Sequence, residues 1–275
     1  MDTFEQARHE RQEKRKFYTE EKIKAARKNI ERYDWARNRM EMAVKRADRV
    51  IAAGNEWIWE IPTTQKLPRS YSVNQEKGCP VCGIGLYTAY GSYGWILNQF
   101  NAPWKIKCPN CESVFPSNDF ESYYRSAIDE NGNFEPSIAD KRFLQNILYP
   151  DKPENWMADD GFGWVSEDGC KFVFAAFYNM FGIWYSENSL ISYLQDIKEA
   201  YLFTGNIKYA YAGLILLDRI ADVYPDMDTS VYMTKDGYRV CDGLSGKGKI
   251  IGSIWDASIV WDFVCAYDAF SPAFS

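Results

Sequence analysis

Histidine is nearly absent from this chain: His9 is the single one in 275 residues. It sits in a charged leader beside Arg8, Glu10 and Arg11, the setting of a solvated side chain rather than a proton-transferring one. A histidine base within the body of the chain is thereby excluded. A basic balance is lacking too. The formal net charge is -6, and although residues 1–50 carry 15 Lys and Arg against 10 Asp and Glu, the remainder carries 17 against 28. Phosphate binding needs a basic face, so a nucleic-acid module is excluded and the basic start reads as a solvated helix face.

Long apolar runs are also missing. The longest, from Phe172 to Tyr185, is too short to span a bilayer and is interrupted by Asn179 and Gly182. The opening residues Met1 to Gln6 hold no apolar signal region, which predicts a cytoplasmic protein, or a secreted or periplasmic one where a signal has been removed. Seven cysteines, an odd number, fit a reducing compartment.

What the chain does have is apolar and aromatic mass. Hydrophobic residues make up 46%, ample for a core, and aromatics make up 16%, including 19 Tyr and 10 Trp. Flat side chains in such number suit large cores and also the stacking of sugar faces.

The most specific pattern is two Cys-x-x-Cys pairs, Cys79-Pro80-Val81-Cys82 and Cys108-Pro109-Asn110-Cys111, separated by 25 residues. Four thiolates at this spacing suit the tetrahedral corners that zinc prefers in a closed structural site. Two disulfides or a redox pair are the alternatives. A redox motif needs one pair near a βαβ pattern, whereas these two pairs frame Gly85-Leu86-Tyr87-Thr88-Ala89 and Trp104-Lys105-Ile106-Lys107, both strand-like. Zinc held by four sulfurs has no open position, so one ion would hold structure rather than perform chemistry. Gly83 follows the first pair, where positive φ is often needed; Glu112 takes that place after the second, a weaker match.

Periodicity predicts helices elsewhere. Thr19 caps a helix reaching toward Gly54, with Ile23, Ala26, Ile30, Ala43, Ala47 and Val50 at three- and four-residue spacing. Ala139 to Leu148 reads as a short helix and Cys170 to Tyr185 as an aromatic one. Leu190 to Tyr201 and Tyr209 to Val223, joined by Thr204-Gly205-Asn206, form an αα-hairpin; Ile254 to Phe270 is a further helix. Asp129-Glu130-Asn131-Gly132-Asn133 is a turn cluster, lacking the later ligands of a calcium loop. The predicted fold is mainly α: an incomplete α/α toroid of αα-hairpins with a small β zinc ribbon inserted near the N-terminus. Its parts are an N-terminal helix and linker (1–70), the ribbon (71–125) and the hairpins (126–275).

Several stretches then resemble the N-terminal half of heparinase II/III-like polysaccharide lyases. They are Lys107-Cys108-Pro109-Asn110-Cys111 through Phe115-Pro116-Ser117-Asn118-Asp119-Phe120 with Tyr123-Tyr124, Asp159-Asp160-Gly161, Ala200-Tyr201-Leu202-Phe203-Thr204-Gly205, and Leu217-Asp218-Arg219-Ile220-Ala221-Asp222-Val223-Tyr224-Pro225. Tyr18-Thr19-Glu20-Glu21 to Trp35-Ala36 is similar as well. The resemblance implies a toroid, followed in such proteins by β-sandwich domains, and β-elimination on uronic-acid-containing polysaccharides. A base removes the proton α to the uronate carboxylate, an acid protonates the leaving oxygen, and a third group neutralises the intermediate. These roles fall to Tyr, His and Asn or Arg in that family, and its Asn-His segment is expected beyond Ser275, so no catalytic residue is assigned here. The expected partners are an acidic polysaccharide or oligosaccharide and the C-terminal region of the same protein, with no nucleic acid and no membrane. Asp160 and Trp164 on a Gly-rich loop, and Trp255, are the substrate-binding candidates. Trp255 also suits a core stripe, and Asp160 also suits a helix cap. The alternatives are a toroid glycoside hydrolase of the unsaturated-uronide type working through carboxylates such as Asp159 or Asp160, and a non-catalytic zinc-stabilised binding or scaffold module.

Overall fold

A computed structural model describes residues 15–186, 188–227, 250 and 255–273. These residues are mainly helical, with a small antiparallel sheet. They belong to two compact units: Met1–Pro62, Leu190–Asp222 and Ala257–Ser275 in the first, Thr63–Ser189 and Val223–Asp256 in the second. Among the described residues, no helix is long and apolar enough to cross a membrane.

The first unit contains α1 (Glu20–Arg32), α2 (Asp34–Ala52), α3 (Asn55–Glu60), α7 (Leu190–Thr204), α8 (Ile207–Val223) and all but the start of α9 (Trp255–Phe270). Thr19 caps α1 as expected, its hydroxyl accepting the Lys22 N–H. The single helix predicted from Thr19 to Gly54 is two helices instead. Tyr33 takes an extended backbone (φ -126°, ψ 129°) while its N–H still closes the last turn of α1 on the Asn29 carbonyl. Neither glycine nor proline marks the break. Beyond it Ala36, Ala43, Ala47 and Val50 are buried along α2, and their small side chains let α2 pack closely along α7. Arg39 and Glu199 pair across that contact at 2.6 Å.

The α7/α8 hairpin forms as the periodicity predicts. Gly205 closes α7 with φ +72°, donating its N–H to the Tyr201 carbonyl, and Asn206 receives the Lys208 N–H at the start of α8. Phe270 of α9 lies over Gly213 of α8 so closely that a Cβ there would stand 2.3 Å from its ring. Near the end of α9 the buried Asp268 carboxylate accepts three successive backbone N–H groups, from Lys16, Phe17 and Tyr18. That satisfies a strap of backbone preceding α1.

The second unit is built around an aromatic core and the sheet β1 (Ile96–Asn98), β2 (Ala102–Lys107) and β3 (Val114–Phe115), antiparallel in that order. Ile106 pairs with both Leu97 and Phe115 in register. A two-stranded ribbon, β4 (Trp164–Val165) with β5 (Lys171–Phe172), lies apart in sequence. The segment predicted as a strand from Gly85 to Ala89 is the helix α4 (Gly85–Tyr90). Leu86 is its buried contact, the Tyr87 hydroxyl donates to the Asn74 carbonyl, and Gly91 ends it at φ +80°. Ala139 to Leu148 holds only a 3₁₀ turn, Lys141–Leu144, because the Ile147 and Leu148 N–H groups turn to the Ser117 carbonyl instead of continuing a helix. The predicted aromatic helix from Cys170 opens as β5, becomes α6 (Phe174–Tyr178), and finishes as a π-helical stretch, Asn179–Trp184. Asn179 is fully buried there. Its amide donates to the Leu67 and Pro68 carbonyls and its oxygen accepts from Thr63, so a polar residue within an apolar run is satisfied by the neighbouring loop. Helix α5 (Phe120–Ser126) is capped by Asp119 and buries Phe120 and Tyr123.

Candidate metal centre

Cys79, Cys82, Cys108 and Cys111 converge, with their Sγ atoms all within 4.8 Å of one another. Cys79 and Cys111 are 3.7 Å apart, Cys82 and Cys108 3.6 Å. A tetrahedron of sulfurs around zinc, with Zn–S about 2.3 Å, has an edge of about 3.8 Å, so this spacing fits one ion. It does not fit two S–S bonds, which are about 2.05 Å long, and all four cysteines are free.

Two backbone turns set the geometry. In the first, Cys79 and Gly83 exchange both backbone hydrogen bonds, at 3.2 and 2.8 Å, and the Val81 N–H points at the Cys79 sulfur. In the second, which joins β2 to β3, the Glu112 N–H reaches the Cys108 carbonyl and the Cys108 N–H reaches Ser113. Gly83 has φ +76° and Glu112 φ +63°. Glu112 is thus held in the left-handed conformation that the glycine adopts freely, and its carboxylate meets Lys107 at 3.1 Å. Burial pushes the Cys79 and Cys108 thiols up; at Cys111 burial is outweighed by hydrogen bonds with Ser113, which bring the thiol down to about 7.

The cysteines stand on a rigid base. Lys105, on β2, extends its ammonium to the carbonyls of Pro116 and Asn118, and its burial lowers its pKa to about 8. Asn118 and Asp159 bond reciprocally: the Asp159 N–H donates to the Asn118 side-chain oxygen, and the Asn118 amide donates to the Asp159 carbonyl. The Asp159 carboxylate then receives the N–H groups of Gly161, Gly163 and Ala175, the last in the first turn of α6. Burial pushes this carboxyl up to about 6, although the three N–H groups favour the charged form. Fully buried, the Asp159 carboxylate is committed to backbone N–H groups.

The three substrate-binding candidates lie in two settings. Asp160 is half-buried and accepts the Phe162 N–H, shaping the Gly-rich loop, while it is the adjacent Asp159 that accepts an N–H from the first turn of α6. Trp164 is half-buried on β4, its ring 5.9 Å from Phe172 across the strand pair. Trp255 is 48% exposed, so it is not core; its ring lies 6.1 Å from that of Tyr185. Sequence reasoning did not single out Tyr93, which is 56% exposed on the turn Gly91 to Gly94, or Tyr185 beside Trp255. The glycines that bracket Tyr93 were the available signal. His9 and Cys241 lie outside the described residues. Comparison of the chain with protein-family models, curated proteins and solved structures finds no match.

Proposed function

We propose that the four cysteines hold one structural zinc ion, and that the chain is the N-terminal, toroid-forming part of a polysaccharide lyase acting on uronic-acid-containing glycans. The observation that carries this reading is the reciprocal bonding of Asn118 and Asp159, 41 residues apart. It joins two of the stretches that resemble heparinase II/III-like lyases, Lys107 to Phe120 and Asp159 to Gly161, into one buried network. Two further such stretches, Ala200 to Gly205 and Leu217 to Pro225, begin in the α7/α8 hairpin, the second running past the end of α8 at Val223 into a 3₁₀ turn, and such hairpins are the kind of repeat from which an α/α toroid is assembled. Zinc is the metal that best matches four thiolates at a tetrahedral edge, and with every corner filled it acts as a staple. Turnover therefore rests on side chains other than the cysteines, and no catalytic residue is assigned. The hydrolase alternative loses Asp159, whose oxygens are committed to backbone.

The test is incubation with hyaluronan, heparan sulfate and alginate, following binding, reducing ends and the ultraviolet absorbance of unsaturated uronides. Saturable binding by this chain is expected, with unsaturated products released by a longer protein that contains it. Reducing ends without that absorbance point to hydrolysis. Neither binding nor product from either protein overturns the proposal.

A further inference from the structure

Helix α9 is apolar on nearly every side. From Trp255 to Phe270 it holds no Lys or Arg and three aspartates, each bonded within the protein. Asp256 accepts the Ile250 N–H, Asp262 accepts the side-chain amide of Gln195 on α7, and Asp268 accepts the strap that precedes α1. One side of the helix is core, with Ile259, Ala266 and Phe270 buried and Phe270 set over Gly213. The opposite side is exposed yet bare of charge. Ala257, Val260, Trp261, Val264 and Tyr267 follow one another at three- and four-residue spacing, so they share one face, and the last four are 39% to 53% exposed. Phe17 on the strap widens this face: it too is exposed, and its ring stands edge-on to Trp261 at 4.9 Å. A surface helix turns polar residues outward, whereas a helix that is apolar all round is one covered on both sides.

We propose that this face of α9 is a docking surface for a second copy of the same chain, the two helices running antiparallel. Charge selects the occupant. The face carries none, no lysine or arginine lies on α9 to draw an acidic peptide or an anionic bilayer, and the three aspartates are already committed. The complement is therefore another uncharged apolar helix face, and a second copy brings one. The face also matches itself. About a two-fold axis between Val260 and Trp261, Trp261 meets the partner's Val260 and Ala257 meets the partner's Val264, so the one large ring faces a small side chain. Area sets the strength. A half-exposed aromatic leaves on the order of 100 Å² outside and a valine roughly half that, so two such faces cover about 800–1,000 Å² together, the low end for a specific interface. Such a dimer is weak, dissociating in the micromolar range. The net charge of -6 on each copy opposes it, so salt strengthens it by screening that repulsion.

The inference stands apart from the proposed function, whose glycan assays neither use nor decide it. Sedimentation velocity is run on the full chain from about 1 to 100 μM, either side of the expected dissociation constant, at low and high salt. A phosphine reductant is present so that no disulfide links two copies. The same runs are made on Val264→Glu and Trp261→Glu, with circular dichroism to check folding; both positions are exposed, so the added charge leaves the core as it is. The unaltered chain is expected to move from monomer toward dimer with concentration, and further at high salt. Each glutamate is expected to raise the dissociation constant more than about tenfold, since pairing would bury its charge. A dimer that neither glutamate weakens lies on another surface and overturns the proposal. A chain that stays monomeric throughout overturns it as well. Hydroxyl-radical footprinting that finds Trp261 shielded in that monomer assigns the face to another part of the same chain, and flotation of the monomer with phosphatidylcholine vesicles assigns it to a bilayer.

Discussion

Glu112 and Gly83 occupy equivalent places in the two cysteine turns and share one backbone conformation, which a side chain resists and glycine does not. The left-handed region costs a residue with a Cβ about 1 kcal/mol or more. Replacing Glu112→Gly is therefore expected to relieve that strain, and after the added freedom of the unfolded chain and the lost exposed pair with Lys107 the net effect lies between about 0 and 1 kcal/mol of stabilisation. Gly83→Ala should cost about as much, since space is open around its Cβ and only φ resists. Chemical denaturation of the two variants, with metal content measured alongside, checks both; a destabilised Glu112→Gly contradicts the account. The cysteine site was legible in sequence because metal ligands must be spaced by short covalent turns, and Cys-x-x-Cys states that spacing outright. The roles of Asp159 and Asp160 were not. Two adjacent carboxylates look alike until Ala175, sixteen residues on, supplies the N–H that draws one of them inward.

Elements with a strong three-and-four periodicity, α7 and α8, fall where the apolar spacing places them, whereas α9 covers the expected residues but leaves Trp255 and Tyr267 of its apolar stripe exposed. Shorter apolar runs did not declare themselves. Gly85 to Ala89 suits a strand or one buried helical turn equally, and the bond from Tyr87 to Asn74, a contact outside the run, accompanies the helix. Tyr33 interrupts a long amphipathic pattern without a breaker residue, so nothing local announces the break. Helix packing supplies a direct test. Gly213 lies within α8, where alanine is intrinsically better by about 1 kcal/mol, yet its missing Cβ makes room for the Phe270 ring. Gly213→Ala is expected to destabilise by about 1–3 kcal/mol through overpacking, and a second change, Phe270→Leu, to recover much of that loss. Urea unfolding of the single and double variants distinguishes this from propensity alone, which predicts that Gly213→Ala stabilises.

For the molecule as a whole, the central claim is that the second unit is stapled by zinc through four cysteines that meet from two turns 26 to 32 residues apart. Structural zinc contributes folding free energy on the order of 10 kcal/mol in small domains, and here it would lock a three-stranded sheet too short to stand alone. The deciding measurement is the mass of the purified chain by native mass spectrometry without added reductant, with circular dichroism alongside, before and after chelation. The account predicts one zinc ion per chain, with the ion lost on chelation together with ordered structure in the ribbon. A metal-free chain with the ribbon intact, or one lighter by the four hydrogens of two disulfides, contradicts it.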